Sequence, residues 1–159
     1  MDERMLRDHL RKALSWHDAH LEWEKALTGL PAKHRGAVPL GTPHSPWEIT
    51  EHVRTAQWDI LEFCRDPKHA WPDWPAGDWL QSASPPNAAA WDKSVKAFQS
   101  DMEAMGKLVA DPKSDLFSPI PHGSGQTILR EALRVVDHNS YHLGQFVLVR
   151  RLLGAWPES

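Results

Sequence analysis

The sequence predicts an all-α protein, a four-helix bundle built as a single domain over residues 1–159. Three observations carry this expectation. Four segments place apolar residues at the three-to-four-residue spacing of a helix, and no segment alternates with period two over a useful length. A chain of 159 residues can also bury one sizeable core. Four long amphipathic helices in that length pack as a bundle.

The first segment runs from Arg4 to Thr28, with Leu6, Leu10, Ala13, His17, Leu21 and Leu27 directed inward. Gly29 and Pro31 end it. The second runs from Pro46 to Arg65. Ser45 is its N-cap, Pro46 suits the first helical position, and Glu48 completes a capping box. Its inward stripe is Ile49, His52, Val53, Ala56, Ile60 and Phe63. The third runs from Asn87 to Val109 on Trp91, Val95, Phe98, Met102, Met105 and Val109. The fourth runs from Thr127, a candidate N-cap, to Leu153, with Gly154 as its stop. Its stripe is Ile128, Ala132, Val135, His142, Phe146, Val149 and Leu153.

Two connections exceed what a bundle needs, so a crossover between non-adjacent helices is expected in place of a simple up-down order. One, residues 66–86, carries Trp71, Trp74 and Trp79 among several prolines. It is expected to pack over the open end of the bundle, with a lid lining a substrate pocket as the sharper alternative. The other, residues 111–126, contains Pro119-Ile120-Pro121-His122-Gly123.

Composition narrows the function classes. A net charge of −3, from 18 basic and 21 acidic residues, gives no electrostatic footprint for nucleic acid. The one basic pair of note, Arg150-Arg151, falls where cations suit a helix C-terminus. No run is apolar and long enough to span a membrane, and Met1 to Arg11 lacks a signal-peptide core. The single cysteine, Cys64, allows no internal disulfide. It reads as a small core filler with no paired histidine to make it a nucleophile. The expectation is a soluble cytoplasmic protein with neither a nucleic-acid nor a membrane partner.

The chain is rich in tryptophan and histidine, with 9 and 10 of them. His138 and His142 stand four residues apart, one above the other on one helix face. His142 lies on the apolar stripe, where an imidazole wants a partner. If the second and fourth segments face each other, His52 converges on this pair. Three imidazoles plus water make an open metal site, whereas a closed structural zinc site normally takes four protein ligands. Zn²⁺ and Ni²⁺ both suit such donors. The spacing alone leaves the alternative of hydrogen-bonded core histidines standing.

The run His138-Asn-Ser-Tyr-His142-Leu-Gly-Gln145, followed by Val149-Arg150-Arg151-Leu152-Leu153-Gly154, resembles the C-terminal signature of the DinB/YfiT-like superfamily. Ser45-Pro46-Trp47-Glu48-Ile49-Thr50-Glu51-His52 resembles that superfamily's second-helix motif. The resemblance implies a DinB-like bundle, often a homodimer, with a three-histidine divalent metal site. Carried over by position, the ligands are His52, His138 and His142. It further implies a metal-dependent transferase or isomerase acting with a low-molecular-weight thiol such as mycothiol or bacillithiol on a small-molecule substrate. A hydrolase using water is the nearest enzymatic variant. The alternative from a different class is a non-catalytic metal-binding or stress-response bundle.

Around these ligands, Gln145 has two readings of equal weight. It hydrogen-bonds a ligand ring or a metal-bound water, or it makes a helix-packing bond. Tyr141 falls off the metal face, which suits packing or an interface. Gly144 is expected to allow close helix approach, and Glu51 to be solvated. His17, with His20 three residues on, is expected to be a hydrogen-bonded boundary residue, with a fourth ligand or proton carrier as the sharper reading. His122 could hang over the site. His9, His34, His44 and His69 read as surface or turn residues.

Overall fold

The structure, a computed structural model, describes residues 2–15, 19–70, 79–80 and 82–157. Six helices follow one another: α1 Glu3–Leu14, α2 Trp23–Leu27, α3 Ala32–Arg35, α4 Pro46–Arg65, α5 Ala88–Ala110 and α6 Ile128–Leu152. The four long ones form the bundle. α4 packs against α5 and α6, and α1 packs against the same two. α1 and α4 therefore stand at opposite corners, as do α5 and α6, so the 111–127 connection joins helices across a diagonal, as its length led one to expect, and the shift from α1 to α4 is a second diagonal step that was not expected. No helix among the described residues is long and apolar enough to cross a membrane.

The expected boundaries of α4, α5 and α6 hold to within a residue, because the capping chemistry sets them. Ser45 Oγ accepts from the Glu48 amide, and the Glu48 carboxylate accepts from the Ser45 amide. Asn87 accepts from the Ala90 amide, and Thr127 from the Arg130 amide. Gly154 follows α6 at φ +64°, a conformation that favours glycine.

The first segment is a correction. The expected helix over Arg4–Thr28 stops at Leu14 and resumes only at Trp23. Trp23 supplies the reason. At 100° per residue, an unbroken helix would turn Trp23 roughly opposite Leu10 and into solvent. With the break, its ring enters the core between Phe98 and Phe146, at centroid distances of 5.3 and 5.6 Å. Its indole N–H donates to the Asn139 carbonyl at 3.1 Å. Burying that ring with its donor satisfied outweighs the continuity of one amphipathic helix. His17 lies outside the described residues.

The core has two apolar clusters. One gathers Leu10, Leu14, Ile60, Phe63, Met105 and Val135, closed from below by Leu116 and Ile120 of the 111–127 connection. The other gathers Leu27, Trp47, Val53, Phe98, Phe146 and Val149. Between Val53 and Ile60 on α4, and between Val135 and Leu143 on α6, lie buried Gln57 and Asn139. Asn139 Nδ2 donates to Gln57 Oε1 at 2.7 Å, and Gln57 Nε2 donates to the Phe98 carbonyl at 2.8 Å. A buried amide pair is tolerated only when bonded, so this layer fixes the register of α4, α5 and α6.

Candidate metal centre

α4 and α6 face each other, and with them the three predicted histidines. His52 on α4 is half-buried, as is His138 on α6, and His142 is buried. One ring nitrogen from each lies within 4.8 Å of the other two. His52 Nε2 and His138 Nε2 are 3.1 Å apart. Nitrogens on a tetrahedral Zn²⁺, at about 2.0–2.1 Å from the ion, stand about 3.4 Å apart, so the cluster is already near that size.

Gln145 sits one turn beyond His142, and its Oε1 accepts from His142 Nδ1 at 2.7 Å. That bond puts the ring's hydrogen on Nδ1 and leaves the Nε2 lone pair for the cluster. Gln145 is thus bonded to the His142 ring within α6. Burial, then the neighbouring His52, depress the His138 pKa to about 4, while Asn139 pulls the other way. Burial, then His138, depress that of His142 to about 4. Neutral imidazole is the ligating form, so both rings keep it at neutral pH.

A stability consequence follows with a definite sign. The unfolded chain protonates these rings near the ordinary value of 6.5, and the folded chain only near 4. Between those values the unfolded state binds more protons, so metal-free protein is expected to lose stability as pH falls from about 6.5 to 4. Urea midpoints at pH 7 and pH 5 check this. The same drop in midpoint from pH 7 to pH 5 in the intact chain and in His138→Leu/His142→Leu, or no drop in the intact chain, would contradict it.

Trp79 roofs one side of the cluster. Its ring stacks on His52 at 4.2 Å with 11° between planes, and it meets His142 edge-on at 5.8 Å. Trp71 and Trp74 lie outside the described residues. On the far face of Trp79 stacks His44, at 3.4 Å and 7°. This corrects the surface assignment of His44, whose position just before the Ser45 cap carries it toward the site along with α4.

Other expectations are corrected too. Glu51 is not solvated: Arg54 donates to its two oxygens at 2.7 and 3.0 Å, and the Ser94 hydroxyl donates as well. Burial pushes its pKa up, but these bonds outweigh burial and hold it below the usual carboxylate value. His69 is not a surface residue; its Nε2 meets Asp59 Oδ1 at 2.6 Å, and both side chains are almost fully buried. His122 does not hang over the site. It donates to the Phe63 carbonyl at 2.7 Å and packs on the Phe63 ring. Phe63 lies eleven residues past His52, or about 16 Å along α4. Gly144 has no close neighbour; a Cβ there would meet nothing within 4 Å. Tyr141 is 65% exposed, with its ring edge on His142 at 4.9 Å. His20 is exposed, bonded to its own neighbour's carbonyl at Leu21. Cys64 is a core filler as expected, its thiol pushed up to about 12 by burial and by Glu131. That leaves it almost no thiolate at neutral pH.

A cavity of about 470 Å³ lies between α1, α5 and α6, walled by Leu14, Leu21, Trp23, Met102 and Leu143 among others. The three histidines are not among its walls, although Asn139, next to His138, is. The chemistry sits with the histidines, and the volume sits beside them.

The arrangement is that of an all-α bundle presenting three imidazoles from two facing helices. A family model described as the DinB superfamily matches residues 15–146, and the chain belongs to that superfamily. The chain has no match among curated proteins and none among solved structures.

Proposed function

We propose that this chain is a single-domain, cytoplasmic, divalent-metal-dependent enzyme. In this reading His52, His138 and His142 hold Zn²⁺ or Ni²⁺, and a low-molecular-weight thiol such as bacillithiol or mycothiol is activated for transfer to, or isomerisation of, a small electrophile. The convergence of three histidines, with no fourth His, Cys, Asp or Glu grouped with them among the described residues, carries the reading. A three-ligand divalent ion supplies Lewis acidity at an open position, enough to lower the pKa of a thiol or of water. Gln145 orients His142, and Trp79 covers the His52 side and limits water there.

Titrating the Co²⁺-loaded protein with bacillithiol, mycothiol and glutathione tests this. A thiolate-to-cobalt charge-transfer band, followed by consumption of an added electrophile, is the expected result. No band with any thiol would move the reading to water as nucleophile, a hydrolase. No turnover of any kind would leave a non-catalytic metal-binding or stress-response bundle. That second reading draws on one observation, that the cavity of about 470 Å³ lies off the histidines.

We further propose a homodimer. Leu133, Tyr141, Leu148 and Leu152 are all exposed on α6 and, at 100° per residue, fall within about 100° of arc with the open Gly144 among them. A monomer by light scattering at micromolar concentration would contradict this.

A further inference from the structure

The cavity of about 470 Å³ between α1, α5 and α6 plays no part in the histidine chemistry. α1 runs antiparallel to α5, and Arg7 donates to the Val109 carbonyl at 2.9 Å. The cavity opens where α1 ends at Leu14 and Trp23 of α2 takes over against Phe98. Its volume falls in the range of about 300–1,000 Å³ usual for small-molecule sites. Leu14, Phe98 and Leu143 in its walls are buried, while Trp23, Met102 and Val136 are only half-buried. Apolar surface left half-covered in a concavity favours a ligand that covers it.

Gly106, in the interior of α5, is also a wall residue. Glycine weakens a helix interior relative to alanine. Packing does not demand it here, since a Cβ would meet Arg11 Cγ at 3.8 Å and nothing nearer. Its missing side chain is room in the wall.

The polar wall groups define the ligand class. Arg11 is paired with Asp8 at 3.3 Å, Lys107 with Glu103 at 2.7 Å, and Glu22 with Lys25 at 3.7 Å. Glu24 is exposed, where solvent screens it. The rim therefore favours neither an anion nor a cation. Of the two polar side chains that α6 brings, Ser140 donates to the Val136 carbonyl at 2.8 Å. Asn139 is 5% exposed, and its Oδ1 has no hydrogen-bond partner. That atom is an oxygen by a chain of bonds. The Phe98 carbonyl can only accept, so Gln57 gives it the NH₂ and turns its own oxygen to the Asn139 NH₂. An unsatisfied buried acceptor calls for a donor.

We propose that this cavity is a second binding site, separate from the histidines, for a small neutral phenol or alcohol. The apolar body packs on Trp23, Met102 and Leu143, and the hydroxyl donates to Asn139 Oδ1. The two sites are separate because Asn139 and Leu143 each follow a histidine by one residue, which turns them about 100° around α6 from the cluster.

Titration of the full-length chain with naphthol, naphthalene and naphthoate, followed by NMR, tests this. Naphthol is expected to bind at one site, with naphthalene, which lacks the hydroxyl, and naphthoate, which is charged, about tenfold weaker. In protein carrying ¹³C-methyl methionine, naphthol is expected to shift the Met102 signal and leave that of exposed Met5 in place. Gly106→Leu fills the wall and favours the helix, and is expected to weaken naphthol binding by about tenfold or more with Zn²⁺ uptake unchanged. His52→Ala is expected to bind naphthol as the wild type does, whatever becomes of its metal. No naphthol binding, an unmoved Met102, or wild-type affinity in a Gly106→Leu folded by circular dichroism would each overturn the proposal. If Gly106→Leu does not fold, Val136→Phe fills the cavity from α6 and is read in the same way. Naphthalene or naphthoate binding as tightly as naphthol would overturn the ligand class. Loss of naphthol binding in a folded His52→Ala would join the cavity to the histidines and overturn the separate site.

Discussion

His142→Ala is expected to weaken divalent-metal binding by more than about 100-fold while leaving the bundle folded. The loss exceeds the 10–100-fold expected when only a group behind a ligand is removed, because a donor itself is gone. The bundle survives because the two apolar clusters flank the cluster of histidines without depending on it. His142 is also buried and neutral, so a small apolar replacement leaves no buried charge behind. Gln145 loses its partner, but it is half-buried and can turn to water. Calorimetric titration with Zn²⁺, beside far-UV circular dichroism, reads both parts. If the variant unfolds unless metal is supplied in excess, the ion is a structural one whose binding energy is folding energy. If metal affinity is unchanged, His142 is not a ligand.

Arg150→Met is expected to cost on the order of 2–4 kcal/mol of unfolding free energy, because carbonyls that lose a charged donor cost about 1–3 kcal/mol each when they stay buried. Arg150 is fully buried in the last turn of α6. Its guanidinium donates to the Ala26 carbonyl, to the Thr28 carbonyl at 2.8 Å and to the Ala155 carbonyl at 2.8 Å. Two of those acceptors belong to the C-terminal end of α2, whose last carbonyls have no intrahelical donor. A methionine fills the volume but takes the donor from three carbonyls, of which that of Ala26 is buried and those of Thr28 and Ala155 are partly buried. Because α2 begins at Trp23, the damage should reach the Trp23 ring between Phe98 and Phe146. Urea unfolding followed by tryptophan fluorescence checks it, and a loss under about 1 kcal/mol would contradict the account.

What could be read in the sequence was whatever local chemistry writes down. Ser45, Pro46 and Glu48 mark the start of α4 within one turn, and Thr127 marks that of α6. The histidines were legible because i, i+4 spacing on an apolar stripe has a geometric meaning, and because two motifs carried the DinB resemblance. What escaped depends on partners distant in sequence. The break before Trp23 follows from a pocket made by α5 and α6, and periodicity could not show it. Arg150 read as a cation suited to a helix end, yet it reaches carbonyls 124 and 122 residues away. Gln57 and Asn139 stand 82 residues apart on different helices, and only across the bundle do they form a pair. Glu51 seemed solvated because Ser94, its donor, is on another helix. His44 and His69 found Trp79 and Asp59 in the same way. A sequence signal did exist for Asn139, namely its place between the two histidines of the motif.

The central claim is that His52, His138 and His142 form a metal centre. Its most direct test is elemental analysis of the protein purified without a chelating tag or chelator, beside His52→Ala prepared identically. The account predicts about one divalent transition metal per chain in the wild type and almost none in the variant. The contradicting result is no metal in either, with none taken up on addition of Zn²⁺ or Ni²⁺. The three imidazoles would then be a buried hydrogen-bonded cluster of the bundle.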